Sequence, residues 1–191
     1  MIFDDIVRKN SLIDKYRLQS IFSLSQAVKN LDGDVVEVGV YKGGSGRFLC
    51  QQFPDNLVYL IDTFEGLPQQ SIHDNFHKKG DFNDSSVDHV KSVLTPYENY
   101  KLIKSTWPNP EIKDLDDIKI KFLHLDVDLY ECYYNNLKYF WPKIVSGGIL
   151  VFDDYGHYNC LGAKKAVDKF VEENDLILYS GPKTQSHIIK L

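Results

Sequence analysis

A short apolar segment followed by a glycine-rich turn limits what this chain can fold into more than any other feature. Residues 35–40 are mostly β-branched and apolar, as in a buried strand. Gly39, Gly43, Gly44 and Gly46 interrupt the pattern before a segment that can begin a helix. Strand, glycine turn and helix form the ligand-binding unit of open α/β sheets, where main-chain N–H groups face the ligand. The sequence therefore predicts an α/β fold with a small-molecule site at this turn.

An acid before the turn separates it from the dinucleotide-binding pattern. The segment has Glu37, Gly39 and Gly43 in place of the Gly-x-Gly-x-x-Gly spacing. A carboxylate there repels a pyrophosphate but suits a ligand with an amine, such as the methionine end of S-adenosylmethionine. The segment thus favours S-adenosylmethionine over a nicotinamide cofactor, with an ordinary glycine-rich turn as the alternative.

A second acid lies at the distance expected for a ribose contact. Asp62 ends an apolar segment and follows Gly43 by about twenty residues, the separation at which nucleotide-binding folds place an acid on the ribose hydroxyls. A strand-terminal acid is common by chance, but together with Glu37 and the glycine turn it predicts a nucleoside-type cofactor.

Alternating segments along the chain predict the architecture. The 191 residues favour one domain with a single core, and residues 1–30 are predicted to be a helical lead-in that packs on the sheet or covers the cofactor site. The alternation indicates a Rossmann-like, mostly parallel seven-stranded sheet with helices on both faces. A short link at Gly181-Pro182 predicts an antiparallel C-terminal hairpin. Predicted strands are 35–40, 57–62, 100–104, 120–128, 149–152, 176–179 and 186–190, and predicted helices are 44–53, 86–94, 130–140 and 159–174.

A long polar segment, residues 63–83, follows the second predicted strand. Loops of this length in compact domains are usually lids or mobile segments, so we predict a mobile active-site loop. His73 and His77 on it can face a substrate, with a solvated loop as the alternative, whereas His124 lies inside a predicted strand and is interpreted as a hydrogen-bonded core residue.

Two pairs of acids follow two predicted strands. Asp126 and Asp128 end the fourth strand, and Asp153 and Asp154 end the fifth. In doubly wound sheets such ends face the ligand, and a strand that continued through Asp126 and Asp128 would place both on one face. Clustered carboxylates suit Mg²⁺, Ca²⁺ or Mn²⁺. The alternative is that they cap loops or helices, as Asp128 would before the helix at 130.

Charge and cysteine content exclude several classes of partner. A net charge of −5 gives no indication of non-specific nucleic-acid binding, and no apolar segment has the length of a membrane span. The start of the chain lacks the pattern of a signal peptide. Cys50, Cys132 and Cys160 form no C-x-x-C pair and are predicted to be free thiols in a reducing cytoplasm.

Five segments resemble, in the same order, motifs of the macrocin O-methyltransferase family, which are metal-dependent sugar O-methyltransferases of macrolide and aminocoumarin pathways. After the third strand the chain departs from that pattern, because Ser105-Thr106-Trp107 stands where the family tends to have a glycine. The five segments are VEVGVYKGGS (36–45), DTFEGLP (62–68), GDF (80–82), LDVDLYE (125–131) and FDDYG (152–156).

The resemblance implies a class I methyltransferase that uses S-adenosylmethionine and Mg²⁺. It implies that Asp126, Asp153 and Asp154 hold the metal and that Asp128 is the general base, a role for which a loop histidine is the alternative. Residues expected at the cofactor are Glu37, Gly39, Tyr41, Gly43, Ser45, Asp62, Ser105 and Asp126.

The predicted activity is methyl transfer to a hydroxyl of a sugar or a glycosylated small molecule. One alternative is a catechol-type O-methyltransferase acting on an aromatic diol. Another is a module that binds the cofactor without catalysis, although cofactor binding alone needs none of the four acids. A nicotinamide-dependent oxidoreductase is disfavoured by Glu37 and by the glycine spacing. We expect a cytoplasmic enzyme with a small-molecule acceptor and no nucleic-acid or membrane partner, and a homodimer stays open.

Overall fold

The computed structural model describes residues 4–191, so the first three residues of the predicted helical lead-in lie outside the described part. Its strands are β1 (Asp34–Val38), β2 (Val58–Asp62), β3 (Tyr100–Lys104), β4 (Ile120–Leu125), β5 (Ile144–Phe152), β6 (Tyr179–Ser180) and β7 (Ser186–Ile189). Its helices are α1 (Asp5–Lys9), α2 (Lys15–Ala27), α3 (Gly44–Gln52), α4 (Val87–Leu94), α5 (Tyr130–Phe140) and α6 (Leu161–Glu173), and a 3₁₀ turn (Trp141–Lys143) precedes β5.

The strands form one sheet in the order β3-β2-β1-β4-β5-β7-β6. Neighbours from β3 to β5 pair in parallel, whereas β7 pairs antiparallel with both β5 and β6. The predicted mostly parallel seven-stranded sheet with antiparallel C-terminal strands is therefore confirmed. The strand order reverses between β1 and β4, and ligands of such sheets bind outside the carboxyl ends of the strands at that point.

Both faces of the sheet are apolar because alternate residues of the central strands point in opposite directions. Val35 and Phe122 pack in the core that includes residues of α1 to α4. Their chain neighbours, Val36 and Leu123, pack in the core that includes residues of α5 and α6. The predicted arrangement of helices on both faces is confirmed. Because helices cover both faces of the sheet, the carboxyl ends of the strands are where a ligand can bind.

The helical lead-in divides into α1 and α2 because two aspartates begin separate helices. Asp4 Oδ1 accepts a hydrogen bond from the Val7 N–H at 2.8 Å, and Asp14 Oδ1 accepts from the N–H groups of Tyr16 (2.8 Å) and Arg17 (3.2 Å). A side-chain acceptor at this position satisfies N–H groups that have no partner within the helix. The connection between the two helices passes over the glycine turn.

Three strands differ from their predicted bounds by three residues or more at one end. β4 ends at Leu125 instead of residue 128, because Asp128 has a φ of 56° and left-handed backbone interrupts a strand. β5 begins at Ile144, five residues before the predicted start, and β6 has only two residues. Since β4 does not continue, Asp126 and Asp128 are not on one face of a strand as expected.

The connection between β2 and α4 has no regular secondary structure over residues 63–86. This agrees with the predicted loop at 63–83, and its mobility stays a prediction. None of the helices within residues 4–191 has both the length and the hydropathy that a bilayer-spanning helix needs.

Candidate active site

A cavity of about 250 Å³ lies outside the carboxyl ends of β1, β2 and β4. It is lined by the strand ends, the glycine turn, the α1–α2 connection, loop 63–83, α5 and the segment before α6. Glu37, Gly43 and Asp153 do not line the cavity. The predicted site residues that do line it are Gly39, Tyr41, Ser45, Asp62, Ser105, Asp126, Asp128 and Asp154.

Asp62 holds the glycine turn in place. Its Oδ2 accepts hydrogen bonds from the N–H groups of Val40 and Tyr41, both at 2.8 Å, and its Oδ1 accepts from the Phe64 N–H at 2.8 Å. A carboxylate offers about four acceptor positions, so these three bonds leave about one for a ligand hydroxyl. Asp62 is half-buried at the cavity wall, where such a hydroxyl can reach it.

Two glycines of the turn are required by the backbone. Gly39 has a φ of 92°, and a Cβ built there would lie 1.8 Å from the carbonyl oxygen of Asp126. Gly43, with a φ of 86°, is the left-handed residue from which α3 begins. Gly39 therefore allows β1 and β4 to approach at the cavity, whereas Gly43 shapes the turn without reaching the cavity itself.

Glu37 lies beneath the turn instead of at the cavity. It is paired in register with His124 of β4, its Oε1 lies 2.9 Å from His124 Nδ1, and both side chains are fully buried. As a strand residue two positions from Val35, it points toward the core of α1 to α4. Only Oε1 is engaged with the imidazole, whereas the buried Oε2 has no hydrogen-bond partner among the described residues. The expected contact of Glu37 with a cofactor amine stays a prediction.

His124 connects the glycine turn to the acids at the end of β5. Its Nδ1 faces Glu37, and its Nε2 lies 3.6 Å from Asp153 Oδ1. Although burial disfavours the charged imidazole, the neighbouring carboxylates of Asp153 and Glu37 raise the pKa of His124 to about 9. The interpretation of His124 as a hydrogen-bonded core residue agrees with this geometry.

Three carboxylates converge at the ends of β4 and β5, and we call them the acidic centre: Asp126, Asp153 and Asp154. One oxygen of each lies within 4.8 Å of the others, and Asp153 and Asp154 are buried. The parallel register pairs Leu125 with Phe152 and thereby sets the following acids side by side. Sheet register therefore explains why acids 27 positions apart in the chain meet.

Each buried acid of the centre has its own partners. Asp153 forms an ion pair with Arg17 of α2 and accepts a hydrogen bond from Gln185 Nε2 at 2.6 Å. Asp154 Oδ2 accepts from the Tyr133 hydroxyl at 2.8 Å and from the Asp128 N–H at 3.0 Å. These bonds fix the carboxylate orientations before any ligand binds.

The crowding of these carboxylates shifts their pKa values. Burial, together with the charges of Asp153 and Asp154, raises the pKa of Asp126 well above its ordinary value, and burial and Asp153 raise the pKa of Asp154. Burial opposes ionisation of Asp153, but His124 and Arg17 outweigh it and lower its pKa. A bound cation would relieve the repulsion, and an all-oxygen donor set suits Mg²⁺. The residues therefore fit the divalent cation that the resemblance implies.

Asp128 does not cap α5. Leu129 occupies the cap position, and the Tyr130 N–H donates instead to Asp74 Oδ1 of loop 63–83 at 2.8 Å. The Asp128 carboxylate turns toward the cavity, where Oδ1 lies 3.5 Å from His77 Nε2 and accepts from Cys160 Sγ at 3.3 Å. The cap interpretation is therefore wrong, and Asp128 is free to face a ligand.

Loop 63–83 is seated on the starts of α5 and α6. Besides the bond from Tyr130 to Asp74, Asn75 donates to the Tyr158 carbonyl at 3.2 Å and accepts from the Leu161 N–H at 3.2 Å. The His73 ring lies 4.2 Å from the Tyr130 ring, between centroids. These contacts place His77 at the cavity and His73 against α5.

Several residues of the site were not predicted from the sequence. Arg17 had one available signal, since it is a charged residue within the apolar spacing of α2. Tyr133, Cys160 and Gln185 had none, because an aromatic on a helix, a single cysteine and a loop glutamine are ordinary residues. Only tertiary packing brings them to the acids.

The sheet order, the reversal between β1 and β4 and the cavity define a class I methyltransferase fold. The O-methyltransferase NovP superposes with a TM-score of 0.80 at 24% identity, covering 95% of this chain and 82% of that one. The calicheamicin methyltransferase CalS11 superposes with a TM-score of 0.79 at 19% identity, covering 92% and 80%. At these identities the likeness establishes the fold.

The sequence profile of the Macrocin-O-methyltransferase (TylF) family matches residues 7–178, so the chain belongs to this family of S-adenosylmethionine-dependent O-methyltransferases. It is 29% identical over 189 aligned positions to demethyldecarbamoylnovobiocin O-methyltransferase of Streptomyces niveus, covering 87% of this chain and 70% of that protein. It is 24% identical over 168 positions to mycinamicin III 3''-O-methyltransferase of Micromonospora griseorubida, covering 75% of this chain and 62% of that protein.

Proposed function

We propose that this enzyme methylates a hydroxyl of a sugar or of a glycosylated small molecule, with a divalent cation, Mg²⁺ by preference, held in the acidic centre. The observation that carries the proposal is the position of the acidic centre and Asp128 beside the cavity that the cofactor candidates line. Cofactor binding alone does not need Asp128, Asp153 or Asp154, which argues against a non-catalytic module. The relatives' names, which specify O-methylation of demethyldecarbamoylnovobiocin and of mycinamicin III at its 3'' oxygen, support a small-molecule hydroxyl as the acceptor.

The cofactor is assigned to the glycine-turn side of the cavity. Asp62 has about one acceptor position left, which suits a ribose hydroxyl. Tyr41, Ser45 and Ser105 line the same cavity and supply polar groups around it. The role of Gly39 is to keep the floor free of a side chain, since a Cβ there would collide with β4.

Asp126, Asp153 and Asp154 would hold the cation. When bound, a divalent cation supplies Lewis-acid stabilisation of the negative charge that develops on an acceptor oxygen. Asp126 and Asp154 line the cavity, whereas Asp153 lies behind them and is held by Arg17 and Gln185. This arrangement orients the carboxylates toward a ligand from one side only.

Asp128 accepts the proton of the acceptor hydroxyl. Its carboxylate is at the cavity, and burial together with the charge of Asp154 raises its pKa well above the ordinary value. A carboxylate with a raised pKa is a stronger base, and a base within hydrogen-bond reach of the reacting proton is what the transfer needs. His77 Nε2, 3.5 Å from Asp128 Oδ1, can donate a hydrogen bond to that carboxylate.

A methyl-transfer assay with labelled S-adenosylmethionine tests the proposal. The acceptor panel contains free sugars, glycosides and catechols, each with Mg²⁺ and after chelation by EDTA. We expect transfer to glycosides or sugars that chelation abolishes and Mg²⁺ restores. Transfer restricted to catechols would replace the acceptor class, and activity that survives chelation would remove the metal. A cytoplasmic location and a homodimer stay predictions from the sequence.

A further inference from the structure

A second group of metal-ligand atoms lies beside the acidic centre, and we call it the mixed-donor group: His77, Asp128 and Cys160. Their ligand atoms lie within 4.8 Å of one another. His77 comes from loop 63–83, Asp128 from the connection between β4 and α5, and Cys160 from the residue before α6. All three line the cavity, so an ion that enters it can reach them.

Two of the three separations in this group match those of a tetrahedral site. Asp128 Oδ1 lies 3.5 Å from His77 Nε2 and 3.3 Å from Cys160 Sγ. Zinc–ligand bonds of about 2.0–2.3 Å in tetrahedral geometry put neighbouring ligand atoms about 3.3–3.8 Å apart. The contacts of Asp128 with His77 and Cys160 therefore need little adjustment for one metal ion to replace the protons that these side chains now share.

A second carboxylate orients the imidazole. Asp81 Oδ2 lies 3.4 Å from His77 Nδ1, so the opposite nitrogen, Nε2, faces Asp128. Metal-binding histidines commonly have such a carboxylate on the nitrogen that does not bind the metal. His157 Nδ1 is 3.8 Å from Cys160 Sγ but accepts the Asn159 N–H at 3.3 Å, which leaves the fourth position to water.

The donor types separate the two groups chemically. The acidic centre offers oxygen alone, which suits Mg²⁺, whereas nitrogen and sulfur donors favour Zn²⁺. We propose that the mixed-donor group is a second metal site, which takes Zn²⁺ and inhibits the enzyme by engaging Asp128. Binding converts the Cys160 thiol to a thiolate and releases its proton to solvent, with no change of oxidation state. The inhibition, unlike the binding, rests on the proposed function.

Binding is measured on the intact enzyme with Co²⁺ as a spectroscopic substitute for Zn²⁺, in excess Mg²⁺ and without cofactor or acceptor. We expect one thiolate-to-cobalt charge-transfer band that Zn²⁺ abolishes. Cys160→Ser should lack the band. Cys132→Ser is the matched control, since Cys132 is a thiol that lines the same cavity outside the group, and it should keep the band.

Two further variants guard against misfolding of Cys160→Ser. Asp81→Asn removes the charge behind His77 while an amide oxygen can still accept from the Lys78 N–H, which now bonds Asp81 Oδ2 at 2.9 Å. It should weaken Co²⁺ binding about 10–100-fold, the usual cost of losing such a partner. Asp153→Asn should keep the band, because Asp153 belongs to the other centre. A wild-type enzyme without the band, or a band that survives in folded Cys160→Ser, would overturn the site.

Inhibition is then measured separately on methyl transfer. Zn²⁺ should inhibit wild type at concentrations that fill the cobalt-defined site, and raising Mg²⁺ should not relieve it. Wild type that shows the band but keeps full activity with Zn²⁺ bound would overturn the inhibitory role. If no acceptor is methylated at all, the proposed function fails while the cobalt band still decides the site.

Discussion

The acidic centre and the mixed-donor group adjoin the same cavity but are built in different ways. The acidic centre stands on the ends of β4 and β5, whose parallel pairing fixes its acids. The mixed-donor group joins three connections, one of them loop 63–83. Asp126 and Asp128 are two positions apart in the chain but fall into different groups, because the backbone turns left-handed at Asp128. The left-handed backbone at Asp128 thus places two acids of one sequence motif in groups with different metal preferences.

The largest effect is expected for a substitution of Asp128, which tests whether the two groups have different roles. Asp128→Asn keeps the size of the side chain but cannot accept a proton at neutral pH. We expect turnover to fall by about 10²–10⁴-fold, the usual cost of losing a positioned base. Mg²⁺ and cofactor affinity, measured by calorimetry, should stay near wild type because Asp128 lies outside the acidic centre.

Added Mg²⁺ should not restore the Asp128→Asn enzyme, which separates loss of a base from loss of a metal ligand. Near-normal turnover would contradict the assignment. His77, which lies 3.5 Å from the Asp128 carboxylate, would then become the candidate base.

The next effect concerns the acidic centre itself. Asp126→Asn removes a charge from three carboxylates that repel one another. We expect Mg²⁺ affinity to fall by more than about 100-fold, since even partners behind the ligands cost 10–100-fold. Excess Mg²⁺ should restore part of the activity. Calorimetry that finds unchanged Mg²⁺ affinity in a folded variant would place the cation elsewhere.

Some residues of the two groups could be predicted from the sequence and others could not. Local apolar patterns predict the strands and which of them are parallel. They also predict that Asp62, Asp126, Asp153 and Asp154 lie at one edge of the sheet, because parallel strands bring their carboxyl ends there. Arg17 pairs with Asp153 across 136 positions of sequence, and no local pattern encodes that distance.

Glu37 illustrates a different case, in which a local motif was identified but the burial of its side chain against His124 was not. Its spacing to the glycines suggested a ligand contact, yet strand alternation turns its side chain to the buried face. There it meets His124, which the β1–β4 register sets opposite. The pairing partner of a strand, which decides this outcome, cannot be derived from the strand's own residues.

A third prediction tests whether the cofactor contact is independent of both groups. Asp62→Asn keeps the shape but removes the charge and replaces one of the two oxygens that accept backbone N–H groups. We expect S-adenosylmethionine affinity to fall about 10–100-fold, because hydrogen bonds to a charged group contribute about 1.5–3 kcal/mol. Mg²⁺ affinity and the cobalt band should not change, since Asp62 belongs to neither group. Unchanged cofactor affinity by calorimetry would remove the ribose assignment.

The smallest expected effect concerns Arg17, the cation of the structure that already faces the acidic centre. Arg17 is paired with buried Asp153 and also bonds to Asp14 and to the Leu12 carbonyl. Its charge offsets part of the negative charge that attracts Mg²⁺. Arg17→Gln should therefore tighten Mg²⁺ binding by about 1 kcal/mol, roughly fivefold, a value suited to a partly screened pair.

Two further variants distinguish an effect of the Arg17 charge from an effect of its packing. Arg17→Lys keeps the charge and should bind Mg²⁺ like wild type, whereas Arg8→Gln removes an exposed cation that pairs with Asp5 and should change nothing. Mg²⁺ binding that weakens in both Arg17 variants would mean that Arg17 acts by holding α2 over the cavity. The mixed-donor group supplies the last control, because a charge effect confined to the acidic centre should leave the Co²⁺ affinity of that group unchanged.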